Sequence, residues 1–203
     1  MIIRVKNSEA LRQNGVKYLY YLTPTENLPS ILKEGIFSRN EISKWKNFSD
    51  HSNQEVQIRR KYKNLHSKVP LFFNTRNAMT YCWESKNIKF VILALSVKLT
   101  DHYSCTITDK NAAADFANFY ELTPENIEKI RLNEIITIRS FYNNYSKKQR
   151  VAAELLVDTG HIAPKWIKKI FVKPHHYYHV INKLKRANAK REIIKDDGRL
   201  YFN

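Results

Sequence analysis

The chain has 203 residues, 43% of them hydrophobic, enough for one compact core, and no shift in composition marks a second domain, so a single domain over 1–203 is expected. Thirty-five Lys and Arg against 19 Asp and Glu leave a net charge of +16, which repels itself in a compact chain and points to a polyanionic partner, nucleic acid first, although AT-rich coding also enriches Lys, Asn, Ile and Tyr. The longest strongly apolar run, Phe90 to Val97, is too short to cross a bilayer, and Met1 to Arg12 lacks the pattern of a secretory leader, so the expectation is a cytoplasmic protein away from membranes.

Lys17 to Leu22 reads as a short strand. Thr25 then offers a side-chain oxygen to cap a helix that carries Leu28, Ile31 and Leu32 on one face and stops at Gly35. Ser38 to Lys68 is a polar connection, of a length often tied to function, with a short helix at Glu55 to Lys63. Val69 to Phe73 and Phe90 to Val97 are buried-type strands flanking a helix at Arg76 to Trp83. Asn111 to Tyr120 and Thr123 to Leu132 read as helices, the second with a cap, a first-turn proline and a first-turn acid at Thr123, Pro124 and Glu125. After a polar stretch from Asn133 to Arg150, Ala152 to Val157 is a strand, Pro164 to Lys168 a helical turn and Ile170 to Val172 a strand. A basic helix, His176 to Asn188, follows with Val180, Ile181 and Leu184 inward. Short strands interleaved with helices, without a βαβ repeat, favour an α+β or mixed α/β fold. Four glycines and no glycine-rich phosphate loop disfavour the common mononucleotide folds.

Several stretches line up in order with a known family. Tyr20-Tyr21-Leu22-Thr23-Pro24-Thr25-Glu26-Asn27-Leu28 is similar to a strand-then-helix segment that usually reads Tyr-His-x-Thr-His-x-x-Asn-Leu, with Tyr21 and Pro24 standing where the histidines would be. Arg59-Arg60, then Val69 to Tyr81, then Thr108 to Ala113 with Asn118-Phe119-Tyr120, and finally Arg150-Val151-Ala152-Ala153-Glu154-Leu155-Leu156-Val157 complete the series. Together, over about residues 18 to 173, the chain resembles the DarT family of DNA ADP-ribosyltransferase toxins. The resemblance implies an ADP-ribosyltransferase-like fold with a split central β-sheet flanked by helices. It also implies NAD⁺ as substrate, single-stranded DNA as acceptor and a macrodomain antitoxin of the DarG type as partner. Thymidine and guanosine both stand as target bases.

By the same resemblance, Glu154 is the catalytic acid and Arg60 the catalytic arginine. The chemistry fits. Breaking the nicotinamide–ribose bond develops oxocarbenium-like charge, which a carboxylate bonded to a ribose hydroxyl stabilises more as the charge grows. One acid in the apolar run Ala152 to Val157 is costly unless used or paired, although a strand-edge glutamate facing a lysine would look the same. A guanidinium at Arg60 can fork a pyrophosphate, or be one solvated charge of the Arg59-Arg60-Lys61 run.

Tyr21 and Thr23 are placed to bond nicotinamide and ribose, and Asn27 either lines the same pocket or serves the helix start. Phe72, Phe73, Met79 and Tyr81 form an aromatic floor under a ring of NAD⁺, or plain core. Arg139, Tyr142, Tyr145, Lys147, Lys148 and Arg150 precede Glu154 as basic groups among tyrosines, suited to phosphates and unpaired bases; an ordinary solvated loop would look alike. Lys183, Lys185, Arg186 and Lys190 add a basic face.

No metal site is expected. His175, His176 and His179 have no acid or cysteine beside them, and Cys82 and Cys105, outside any Cys-x-x-Cys pair, read as buried thiols. The expected state is a monomer. Two competing functions remain on the sequence: transfer to RNA or protein, and a nucleic-acid-binding domain without catalysis.

Overall fold

The computed structural model of the protein describes residues 6–44, 48–186, 192–196 and 198–202. In chain order, helix α1 (Asn7–Gln13) leads into strand β1 (Tyr18–Pro24), and a 3₁₀ turn passes into helix α2 (Leu28–Glu34). Thr25 does not cap that helix: it lies buried inside the 3₁₀ turn and its hydroxyl donates to the Glu26 carboxylate. Strand β2 (Ile36–Phe37), helix α3 (Arg39–Ile42) and helix α4 (Gln54–Tyr62) follow. The next elements are strand β3 (Val69–Phe72), helix α5 (Ala78–Ser85) and strand β4 (Phe90–Ser96). Helix α5 begins two residues later than its composition suggests, because the Asn77 side chain accepts the N–H groups of Met79 and Thr80 and fixes the start there.

The stretch from Asn111 to Tyr120 is not helical. Strand β5 (Cys105–Thr108) instead turns through an irregular loop into strand β6 (Phe119–Glu121), with Thr108 opposite Phe119. The Asp109 carboxylate, accepting from the backbone and side chain of Asn118, closes that loop in place of helical hydrogen bonds. Helix α6 (Pro124–Lys129), helix α7 (Leu132–Thr137) and helix α8 (Tyr145–Arg150) come next, so the polar stretch 133–150 carries two short helices. Asn144 caps α8 by accepting from Lys147 N–H. The chain ends with strands β7 (Glu154–Val157), β8 (His161–Ile162) and β9 (Ile167–Val172), helix α9 (Tyr177–Arg186) and strand β10 (Glu192–Lys195). On α9, Val180 and Leu184 are buried whereas Ile181 is only half-buried.

Eight of the described strands form one sheet in the order β10-β9-β4-β1-β3-β7-β5-β6, parallel only between β10 and β9. β1 pairs with β4 along its whole length, Tyr18 to Ser96 through Pro24 to Phe90, and β3 pairs with β7 from Val69–Val157 to Phe72–Glu154. Between these halves β1 and β3 meet at one register pair, Tyr20 with Phe72. Beyond it stand Pro24 and Pro70, which each remove a backbone donor, and the halves diverge. The sheet is therefore split, in keeping with the expected fold.

One face of the sheet, with Leu19, Leu71, Leu93, Leu155 and Ile107, packs into the main core together with Leu11, Leu28 and Ile127. The other carries a smaller cluster of Leu22, Trp83, Phe90, Ile92 and Tyr201. The Tyr201 hydroxyl donates to Phe171 O at 2.9 Å, and the buried Asp196 carboxylate accepts the N–H groups of Gly198, Leu200 and Tyr201, so the C-terminal turn seals that face.

Candidate active site

The divergence of β1 from β3 opens a cleft of about 550 Å³, within the range of small-molecule sites. Past Tyr20 the free edge of β1 borders this space, so Tyr21, Leu22, Thr23 and Pro24 all line it although their side chains alternate between the two faces of the sheet. Phe72 and Met79 line it. Phe73 is buried on the core side of the sheet.

At the floor, Glu154 begins β7 opposite Phe72 and is only 1% exposed. Arg60, near the end of α4, donates from Nη1 to both carboxylate oxygens, at 3.0 Å to Oε1 and 2.9 Å to Oε2. Ala112 N–H donates to Oε1 at 3.1 Å, and Glu154 N–H donates to Thr108 Oγ1 at 2.9 Å. Two residues 94 positions apart thus form one buried ion pair. Nη2 of Arg60 is buried and has no hydrogen-bond partner among the described residues, which leaves a guanidinium donor for an anionic group. The small apolar cluster Leu65, Ala112 and Leu156 packs together close by in sequence to these groups. Lys63 Nζ donates to the carbonyls of Ala112 and Ala114 and so ties α4 to the loop that supplies the Ala112 N–H.

From the polar connection, Arg39, residues 48–53, Val56, Gln57 and His66 line the outer side of the cleft. Burial above all, with the nearby Asp50 carboxylate, pushes the Tyr21 phenol up to about 12, so at neutral pH it is a protonated hydrogen-bonding group. Burial alone would raise the Asp50 carboxyl, but hydrogen bonds from Ser52 and the Arg39 guanidinium outweigh it and hold it low. His66 Nε2 donates to Gln57 Oε1 at 3.1 Å, and burial and then the charges of Arg39 and Arg60 keep its ring below its ordinary range. None of Arg39, Asp50, Gln57 or His66 stands out in the sequence. Their only signal was the length of the connection that carries them.

Asn27 does not line this cleft. Its amide donates to Ser49 O at 2.8 Å and accepts from Ser49 N–H at 3.0 Å, fastening segment 48–53 against the start of α2. Trp83 Nε1 donates to His51 O at 3.1 Å and Asn53 caps α4, so the same segment is held at three points. Tyr81, expected beneath a ring of NAD⁺, instead points away from the cleft, 57% exposed and edge-on to Phe202. Helical spacing puts Met79, Cys82, Trp83 and Lys86 toward the cleft and turns Tyr81 away. Cys82 is accordingly half-buried at the cleft, whereas Cys105 is buried and its thiol is pushed up to about 12 by that burial.

Of the basic and aromatic residues ahead of Glu154, Tyr145 and Lys148 reach the cleft mouth. Arg139 donates to Arg199 O, Arg150 bonds the Glu134 carboxylate and Ile130 O, and Tyr142 and Lys147 point to solvent. On α9, Lys183 stands 3.9 Å from Glu26, away from the cleft; Lys190 and the side chain of Arg186 lie outside the described residues. His176 is held down to about 4 by burial and then by His175, Lys89, His179 and Lys173. Among the described residues no group of three His, Cys, Asp or Glu is placed to hold a metal ion, and no helix is long and apolar enough to cross a membrane.

A family model described as ssDNA thymidine ADP-ribosyltransferase, DarT, matches residues 20–202. A Thermosipho africanus protein named as a DNA ADP-ribosyl transferase–DNA ADP-ribosyl glycohydrolase fusion is 28% identical over 198 residues, covering 91% of this chain and 49% of the relative. Thermosipho africanus DarTG in complex with ADP-ribose superposes with a TM-score of 0.78 at 26% identity, over 92% of this chain and 51% of that one. Thermus sp. 2.9 DarT in complex with ADP-ribosylated ssDNA gives 0.76 at 18% identity, over 92% and 97%. The chain spans about half the length of the Thermosipho relative it matches.

Proposed function

The chain belongs to the DarT family of single-stranded-DNA thymidine ADP-ribosyltransferases, and from that premise we propose that it transfers ADP-ribose from NAD⁺ to thymidine in single-stranded DNA, releasing nicotinamide. The observation that carries this reading is the buried Arg60–Glu154 pair at the floor of the cleft in the split sheet. When the bond from ribose C1 to the nicotinamide nitrogen breaks, its electron pair goes to the nicotinamide ring and leaves positive charge on the ribose. Glu154 is the negative group that stabilises it. Thymidine has one ring N–H, at N3. As that nitrogen attacks C1, its proton passes to a base, and Glu154 serves if N3 comes within hydrogen-bond reach.

Arg60 fixes the Glu154 carboxylate through two hydrogen bonds from Nη1 and offers Nη2 to a phosphate or ribose oxygen. Tyr21 and Thr23 face the nicotinamide end from β1, with the Tyr21 phenol taking the place of the usual histidine N–H. Phe72 and Met79 supply the apolar surface for a ring, and Tyr145 and Lys148 meet the DNA at the mouth. The name of the Thermosipho relative pairs a transferase with a glycohydrolase, which supports a partner that removes the ADP-ribose, of the DarG macrodomain type. Blocked template bases make such a transferase a toxin.

The test is incubation with NAD⁺ and four single-stranded oligonucleotides, each offering one reactive base type, with products read by mass. One added ADP-ribose on the thymidine strand is expected, and Glu154→Gln should abolish it while oligonucleotide binding persists. Intact NAD⁺ with no gain on any strand would overturn the reading and turn attention to RNA, protein or a binding domain without catalysis. A gain on the guanosine strand alone would move the target base and keep the chemistry.

A further inference from the structure

Phe116 stands out from everything the fold explains. It is 92% exposed, and its φ of +57° is in the left-handed region, which is unfavourable for a bulky side chain by roughly 1–2 kcal/mol. Neither feature contributes to the core: a ring in water buries nothing, and the strained backbone holds it there.

The loop that carries it is firmly anchored at its base. Asp109 clamps Asn118, Asn111 N–H donates to Gln149 O of α8, Ala112 N–H reaches Glu154, and Lys63 holds the carbonyls of Ala112 and Ala114. Asn111, Ala113 and Ala114 line the cleft, and Phe116 follows two residues later, within about 7 Å of chain. The tip 115–117 therefore projects from the rim of the site on a fixed base.

The surroundings are aromatic and basic. Phe119 is 40% exposed with Lys63 Nζ 5.8 Å from its ring centre, and Tyr62, beside Lys63, is exposed as well. Tyr145 and Lys148 line the cleft mouth together with Ala113 and Ala114. Against these lysines the tip itself bears one acid, Asp115. Exposed rings interleaved with lysines suit an extended polyanion with unpaired bases, in which phosphates meet ammonium groups and each base offers a π-face.

We propose that Phe116 is a stacking residue for the base next to the thymidine that is modified, so that the loop 109–118 positions the DNA strand as well as Glu154. This rests on the reading of the chain as a DNA-modifying transferase. The side chain need not touch NAD⁺ or the reacting atoms. Its work is to hold the neighbouring nucleotide out of stack with the target, which leaves the target base free to enter the cleft.

The experiment uses the full chain and oligonucleotides with one thymidine and 2-aminopurine at each flanking position in turn. Stacking on a ring quenches that fluorophore. The expected result is quenching at one flanking position, lost in Phe116→Ala and kept in Phe116→Tyr, with KM for the oligonucleotide raised about tenfold in the alanine variant and KM for NAD⁺ not raised. Phe116→Asn, which suits a positive φ, should fold at least as stably as the parent and still lose the quenching, which separates the ring from the backbone. If the parent transfers ADP-ribose to DNA and Phe116→Ala matches it in oligonucleotide KM, the inference fails and the transferase reading stands. A change confined to KM for NAD⁺ would assign the ring to the adenine of NAD⁺ and overturn the inference as well. A parent protein that modifies no DNA overturns both.

Discussion

Arg60 and Glu154 are an expensive pair to build into a protein. Removing a guanidinium and a carboxylate from water is repaid only with close geometry, and an apolar pair of similar size is often as stable or more so. Here Glu154 is 1% exposed and takes two bonds from Arg60 Nη1 and one from Ala112 N–H, so breaking the pair on one side leaves an uncompensated buried charge. Arg60→Met should lower stability by roughly 3–5 kcal/mol and abolish transfer, whereas Arg60→Met with Glu154→Leu should recover most of the stability and none of the activity. Urea melts of the four proteins in the cycle measure this. A single Arg60→Met variant as stable as the parent would refute the buried pair. Tyr81 is the contrasting lesson at this scale: an aromatic residue next to a pocket-lining one in sequence is turned away from the pocket by the helix that carries both.

At the level of elements, the outer wall of the cleft depends on how segment 48–53 is fastened to its neighbours. Asn27 bonds the Ser49 backbone in both directions, and Trp83 and the Asn53 cap hold the rest. Asn27→Ala removes one anchor without disturbing the core residues Leu28 and Ile31 of α2, leaving the Ser49 backbone groups unpaired. Amide hydrogen exchange at 49–53 should accelerate and KM for NAD⁺ should rise several-fold, while global stability falls by only about 1–3 kcal/mol. Unchanged exchange at Ser49 would show that the segment is held by other contacts. The strands β1, β3, β4 and β7 were legible in the sequence because β4 and β7 are buried apolar runs and β1 and β3 set buried apolar residues among half-buried ones. β5, β6 and β10 were not: Cys105–Thr108 and Phe119–Glu121 are strands through pairing with β7 and with each other, which local sequence does not encode.

Over the whole molecule the charge of +16 is spread widely, and only part of it faces the cleft. Helix α8 contributes Tyr145 and Lys148 to the cleft, while α9 lies beside Thr25 and Glu26 and contributes no residue to it. Binding of single-stranded DNA should weaken steeply with salt, and replacing Lys147 and Lys148 by Gln should reduce the log–log slope by about 1.4 if both neutralise phosphates, with Lys183 and Lys185 contributing less. An equal loss from the α9 pair would place the strand across that helix too. The sequence by itself determined the strongly apolar strands and the basic balance, because these rest on local pattern and composition, and its resemblance to the DarT family pointed to Glu154 and Arg60. Only the tertiary structure decided that the sheet splits at Tyr20 and Phe72, that Arg60 bonds Glu154 across 94 positions, that Asn27 serves segment 48–53 and that Tyr81 faces away. The physical reason is that burial and hydrogen bonding between distant residues depend on how the chain is brought together, which local pattern alone does not fix.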